Sequence, residues 1–450
     1  MKKEIGGWLK RMEREHPRLR RMIRALFRWY LRFRYRAETF RVRTDPKVVL
    51  FASYEGRSYS DSPRALFEYM LQCGRFADYT LVWGFRTQTD ARQRKLNRLT
   101  NQLLSSGTVT AVPRVAAVKY DSPSWRRYLA QAGTWIVNYE PPEDMVPKRD
   151  QVFLETWHGT PLKRLGFDLE HLDDDLHSVK DLRRRYTQEA KRFTFFLSPS
   201  PYASACFRSA WDMDASGRGD IILEEGYPRC DLLFHASQEE IRHIRARVLG
   251  RYNAEYLRAE PGRKIVLYAP TYRQEEKGPD APPWKPALDP DRLQRDLGGE
   301  CIFLIRAHYF LSALPDSGQY RGFLFDVSDE EEIAELFLIS DILITDYSSV
   351  MFDYAILRRP MIFYMYDLEH YRDASNGFYF DPEKELPGPI VRSQEELTGA
   401  IREAAAAVSR PGRQYEERYR YFHEKFNPHE DGGASKRVIC RVFGGRENPE

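Results

Sequence analysis

The stretch Ser340–Pro360, SDILITDYSSVMFDYAILRRP, runs an apolar strand pattern (Ile342, Leu343, Ile344) into Thr-Asp-Tyr-Ser-Ser and straight on into a helix pattern. A strand ending in hydroxyl residues at a helix start is a phosphate site, because the first backbone N–H groups of a helix lack partners and its dipole favours an anion there. Ser348 and Ser349 are therefore expected to cradle a diphosphate, with Asp353 one turn further on, within reach of ribose hydroxyls. Asp346 and Tyr347 read better as N-cap and packing residues. A second stretch, WHGTPLKRLGFD at Trp157–Asp168, sets a histidine, a glycine, a threonine and two basic residues just past another apolar run. The two read as halves of one cleft that holds a diphosphate and does proton-transfer chemistry on it.

Outward from these stretches, apolar runs alternate with helix patterns from Pro46 onward. Strands are expected at Val48–Gly56, Thr80–Trp83, Val109–Val112, Thr134–Asn138 and Gln151–Thr156, with a capped helix opening at Ser60–Pro63. A charged helical stretch, Asp168 to Arg192, precedes a second alternation with strands at Phe193–Ser198, Lys264–Ala269, Cys301–Arg306, Asp341–Thr345 and Pro360–Tyr364. Gln274–Pro290 reads as an exposed loop. Strands alternating with helices imply parallel α/β sheets. Functional loops at strand C-terminal ends then imply two Rossmann-like domains facing across a cleft. The expected division is 1–43, a basic arm; 44–195 and 196–414, the two domains; and 415–450, terminal helices with a return to the first domain as one option.

Length and composition agree with a multidomain globular protein: 450 residues, 42% of them hydrophobic, are too many for one core and too apolar for disorder. Five scattered cysteines, with no C-x-x-C pair, point to reduced thiols and to neither zinc nor a disulfide framework. No apolar run approaches the ~20 residues that span a bilayer, and no signal-peptide core opens the chain, so a cytoplasmic-side protein is expected. Charge is uneven. Residues 1–43 carry 15 Lys and Arg against 4 Glu, whereas the remainder carries 55 basic and 62 acidic residues. Within that arm Leu19, Met22, Ile23, Leu26, Phe27 and Tyr30 form an amphipathic helical stripe, with arginines on the other faces and Trp8, Trp29 and Phe33 nearby. A basic face opposite a Trp/Phe/Leu face is the composition of a helix lying on an anionic membrane surface. Docking on the protein's own core is the plainer alternative. No nucleic-acid-binding signature accompanies the charge, and none is expected to bind.

Several strand ends share the same logic. His158 can take a proton from a hydroxyl near neutral pH, Gly159 lets backbone approach a ligand, and Lys163 can contact phosphate as a point charge. KIVLYAPTYR delivers Pro270, Thr271 and Arg273, and CIFLIRAHYF delivers Arg306 and His308. Two histidines from two domains fit opposite roles, one removing the proton from the attacking hydroxyl and the other stabilising charge on the phosphoryl or leaving group. P-loop and dinucleotide fingerprints are absent, and so is the D-x-D of metal-dependent sugar-nucleotide transferases.

Taken together, WHGTPLKRLGFD, SPSPYASACFRSAW, GYPRCD, VLYAPTYR, the R-A-H triplet, TDYSSVMFDYAILRRP and FNPHEDGGASKRV resemble the CDP-glycerol glycerophosphotransferase family, the teichoic acid and capsule polymer enzymes, over roughly residues 46–443. The resemblance implies a GT-B-like fold in which residues 44–195 face the acceptor and 196–414 bind the CDP-alditol. It implies transfer of glycerol phosphate from CDP-glycerol to a hydroxyl of a lipid-linked polymer, with release of CMP. No cofactor and no metal-binding residues are expected, and dependence on a divalent ion is left open by the sequence. The resemblance also places His158, Gly159, Thr160, Pro161, Leu162, Arg229, Pro270, Thr271, Arg306, Ala307, His308, Ser348, Ser349 and Asp353 around the donor. His158 is assigned as base and His308 to the phosphates, an order the sequence itself leaves open. The lipid-linked acceptor gives the basic arm a reason and implies a peripheral enzyme on the cytoplasmic face of the membrane. The short N-terminal region leans toward a primase or capsule-type enzyme. A ribitol-phosphate transferase using CDP-ribitol, a GT-B glycosyltransferase and an inactive scaffold are the alternatives.

Overall fold

The computed structural model describes residues 17–139, 141–142, 144–171, 178–250, 262–271, 286–307, 320, 322–374, 377–406 and 413–444. Two wholly parallel sheets organise them. The first contains β1 (Asp45–Ala52), β2 (Thr80–Phe85), β3 (Arg114–Lys119), β4 (Ala132–Val137), β5 (Val152–Glu155), β6 (Phe195–Ser198) and β7 (Ile222–Glu224), in the order β3-β2-β1-β4-β5-β6-β7. The second contains β8 (Lys264–Tyr268), β9 (Cys301–Ile305), β10 (Leu324–Asp326), β11 (Ile342–Thr345), β12 (Met361–Tyr364) and β13 (Ile390–Val391), in the order β10-β9-β8-β11-β12-β13. The central strands are apolar on both faces because helices cover both, and Val49, Leu50, Phe51, Ile342, Leu343 and Ile344 are wholly buried. In each sheet the order reverses beside the first strand, the switch point at which loops leaving strand C-termini bind ligands in open α/β sheets.

Three expectations change. Phe195–Ser198 is not the first strand of the second domain. It pairs with β5 on one side and β7 on the other, so the first sheet runs to Glu224 and the expected division at 195/196 cuts through it. Val109–Val112 is loop; the strand starts after Pro113, where Arg114 comes into register with Thr80. Residues 1–43 are not a separate arm throughout. Helix α1 (Pro17–Thr39) is amphipathic, but its C-terminal end belongs to the first domain. Tyr35 and Thr39 are buried, and Glu38 pairs with Arg126 at 2.6 Å. Further toward its N-terminus the apolar face lies open, with Leu26, Phe27, Trp29 and Phe33 all more than half exposed.

Five more helices matter for the site: α2 (Asp61–Gln72), α3 (Ile333–Ile339), α4 (Val350–Tyr354), α5 (Arg413–Phe426) and α6 (Ala434–Phe443). α5 places Tyr419, Phe422 and Phe426 in the core of the second domain. The chain then crosses back, and α6 packs on α2 with Val438 and Ile439 inside the first domain's core. Asp231 of the first domain caps α6, accepting the N–H groups of Ala434 and Ser435. Among the described residues no helix is long and apolar enough to cross a membrane.

Candidate active site

The two stretches that opened the sequence reading meet. The His158 loop leaves the end of β5 and docks on the second domain: Leu162 joins that domain's core, its carbonyl accepts the Tyr379 N–H at 2.9 Å, and Arg164 N–H reaches the Gly377 carbonyl. Gly159 faces the Ser-Ser pair so closely that an added Cβ would lie 2.5 Å from Ser349 Oγ. Only glycine permits that approach.

His158 is wedged among aromatic rings, with Trp157 4.2 Å away and Tyr54 and Tyr139 about 6 Å away between centroids. Its Nδ1 lies 3.0 Å from the Asn138 carbonyl. A carbonyl can only accept, so Nδ1 carries the hydrogen and the neutral ring presents a bare Nε2. Burial pulls the imidazole pKa down, and the Asn138 bond and the Asp61 charge only partly offset it. At neutral pH this is a free base. Trp157, Tyr54, Glu55 and Asp61 all have left-handed φ angles, between 47° and 66°, although none is glycine. Such backbone persists where surrounding bonds over-determine it, and it concentrates at functional sites.

On the facing side, Ser348 and Ser349 precede α4, which is only one and a half turns long before a 3₁₀ turn at Ala355–Leu357. The expected helix start is present, but with so short a helix the dipole is weak, and the hydroxyls and first N–H groups are the main means of holding an anion. Asp346 does not cap the helix. Its Oδ1 accepts the N–H of Thr271 at 2.7 Å and that of Tyr347, tying the loop after β8 to the loop after β11. Tyr347 is a packing residue, stacked on Tyr371 at 3.8 Å. Thr271 and Pro270 are half-buried at that junction.

Arg306 continues from β9, donates to the Glu330 carbonyl at 3.3 Å, and has a buried Nε with no protein partner among the described residues. Burial lowers its pKa, and the Tyr54 phenol across the cleft opposes that shift. Ala307 is held by its N–H on Ser328 Oγ. Thr160 Oγ1 is likewise buried and without a partner among the described residues. Lys163 lies over the Tyr371 ring at 5.0 Å. His308 and Arg273 lie outside the described residues.

Arg229 and Asp353 come together, but with each other. Arg229 Nε and Nη2 grip both Asp353 oxygens at 2.8 and 3.1 Å, and Nη1 reaches Asp61 at 3.2 Å, with all three side chains buried. Each Asp353 oxygen accepts one bond from Arg229 and keeps a lone pair, so the pair ties the donor-side helix to the first domain without excluding a ribose contact. Burial raises the Asp61 pKa, but Arg229, the Tyr54 hydroxyl and the Ser62 N–H outweigh it and keep the carboxylate ionised. Asp61, Tyr54 and Asn138 escaped the sequence reading. Asp61 reads there only as one of three cap candidates, with Ser60 and Ser62, and its partners are distant in sequence.

With this geometry in view, comparison with known proteins is decisive: residues 34–444 match the model of CDP-glycerol:poly(glycerophosphate) glycerophosphotransferase. The chain belongs to that family. It is 34% identical to a teichoic acid glycerol-phosphate transferase of Staphylococcus aureus, over 88% of this chain and 92% of that one. It is 35% identical to a teichoic acid poly(glycerol phosphate) polymerase of Bacillus subtilis, over 88% of this chain, and spans about half of that longer protein's length. A polymerase of Bacillus spizizenii matches over 92% of its own length at 34% identity, so chain length does not separate primase from polymerase. The structure of the wall teichoic acid polymerase TagF superposes with a TM-score of 0.76 at 30% identity, covering 98% of this chain and 97% of that one. The two-domain fold is thus that of a glycerophosphotransferase, in the GT-B-like arrangement expected.

Proposed function

We propose that this glycerophosphotransferase moves glycerol phosphate from CDP-glycerol to a hydroxyl of a lipid-linked, teichoic acid-type acceptor. The carrying observation is His158, its Nδ1 committed to the Asn138 carbonyl, on a loop that faces Ser349 across the cleft. The acceptor oxygen attacks the glycerol-bearing phosphorus, His158 Nε2 takes the hydroxyl proton, and the bond from that phosphorus to the bridging oxygen breaks. CMP leaves with the electron pair. Ser348, Ser349, Thr160, Thr271 and Arg306 hold the diphosphate, with His308 and Arg273 joining them. Positioning and electrostatic stabilisation carry such a displacement without a covalent intermediate. The TagF structures include one soaked with CDPG in a variant that has a histidine replaced by asparagine, which fits a donor bound beside a catalytic histidine.

The open apolar face of α1, with Arg28, Arg32 and Arg36 also exposed on the helix, supports peripheral attachment to an anionic cytoplasmic leaflet where a lipid-linked acceptor resides. The test is CMP release from CDP-glycerol and from CDP-ribitol with a glycerol-phosphate-primed lipid acceptor. CMP from CDP-glycerol alone is expected. CMP from CDP-ribitol alone would move the enzyme to the ribitol branch, and CMP from neither would overturn the assignment.

A further inference from the structure

A single hydrogen-bonded chain crosses the cleft and ends on His158. Asp353, one residue before the end of α4, is gripped by Arg229, and Arg229 bonds Asp61 Oδ1. Asp61 Oδ2 accepts the Tyr54 hydroxyl at 2.6 Å. Tyr54 N–H donates to Asn138 Oδ1 at 2.8 Å, and the Asn138 carbonyl receives His158 Nδ1–H. We propose that this chain is a positioning device, in which Asp61 and Tyr54 hold His158 in its base-competent tautomer and orientation while Arg229 sets its distance from the Ser348–Ser349 cradle. The proposal rests on His158 being the base, as above.

Three independent features support it. The Arg229–Asp353 pair is buried and doubly hydrogen-bonded, which fixes the guanidinium that reaches Asp61. The left-handed backbone at Tyr54 and Asp61, with φ of 47° and 66°, is strained and persists only where bonds hold it. Asp61 has those bonds: besides Arg229 and Tyr54, it accepts the Ser62 N–H, and its own N–H donates to Glu332 of the second domain at 2.8 Å. Finally, Tyr54, which bonds Asp61 through its hydroxyl, sets its ring beside His158 with Tyr139 and Trp157, and the Asp61 charge favours the imidazolium while Arg229 opposes it. An anion in that place stabilises the imidazolium formed as the acceptor proton transfers.

The experiment compares wild type, Asp61→Asn and Tyr54→Phe, each confirmed folded by a cooperative melt. It reads kcat and KM for CDP-glycerol across pH, and separately the pH titration of the His158 ring by NMR of ring-labelled histidine. Expected for both variants is a kcat lower by up to about 10²-fold with KM for CDP-glycerol changed by no more than about twofold. For Asp61→Asn the acid limb of kcat/KM and the His158 titration should both move to lower pH, because removing that anion disfavours the imidazolium. A raised KM with unchanged kcat would make these residues donor contacts, and in Asp61→Asn a lower kcat with an unmoved His158 titration would make Asp61 merely structural. Either result overturns the proposal. The titration needs no turnover, so a failure of the donor assignment in wild type is distinguishable from a failure of the Asp61–His158 link.

Discussion

At the scale of single residues, His158 carries the sharpest consequences. His158→Ala should lower turnover by ~10²–10⁴, the size of a general-base contribution, while CDP-glycerol binding measured by calorimetry stays intact. Burial depresses its pKa, so protonation sets in only below its ordinary value. Activity should therefore stay level through neutral pH and fall on an acid limb below about 6.5. Gly159→Ala would push a methyl against Ser349 and should raise KM for the donor or abolish binding, read in the same calorimeter. His158, Gly159 and the serine pair were legible because a strand end followed by polar residues is a local pattern. Asp61 and Tyr54 were not. Their roles come from Arg229, Asn138 and Glu332, which folding brings from other parts of the chain and no local periodicity marks.

Among the elements, the long apolar strands of both sheets were readable, whereas β7, β10 and β13, two or three residues each, are too short to carry a pattern. Pro113 misplaced one strand, because the apolar residues before it resemble the strand that follows. The helix expected after the serine pair is present as α4, but five residues lead straight into a tight turn, so little macrodipole stands behind Ser348 and Ser349. The cradle must then depend on the hydroxyls themselves. Ser348→Ala combined with Ser349→Ala should weaken CDP-glycerol binding by about 1.5–3 kcal/mol per charge-assisted bond lost. An unaltered dissociation constant would place the diphosphate elsewhere.

The whole molecule is held together by a charged seam between domains. Arg64 of α2 pairs with Glu335 of α3 at 2.9 Å, and Arg92 with Glu331. Within this seam burial pushes Glu332 up to about 7. A carboxyl whose folded pKa exceeds its unfolded one keeps its full stabilising contribution below the unfolded value and loses it as pH rises through the folded value. The melting temperature should therefore fall between roughly pH 4.5 and 7, and Glu332→Gln, which can still accept the Asp61 N–H, should flatten that decline. At the other end of the molecule, Phe27→Glu with Trp29→Glu alters the exposed apolar face of α1 without touching buried Tyr35. That variant should no longer sediment with anionic vesicles, and retained sedimentation would remove α1 as the anchor.

The return of the chain through α6 has a consequence for biosynthesis. The strands of the first sheet are complete at Glu224, yet Val438 and Ile439 of its core, and the Phe443 carbonyl that receives Arg75, are translated only after the whole second domain. A nascent polypeptide halted after Glu224 would hold all seven strands and still expose the apolar flank that α6 covers. Such an intermediate invites holdase binding, and the first domain closes only once α6 has followed the second domain out of the ribosome.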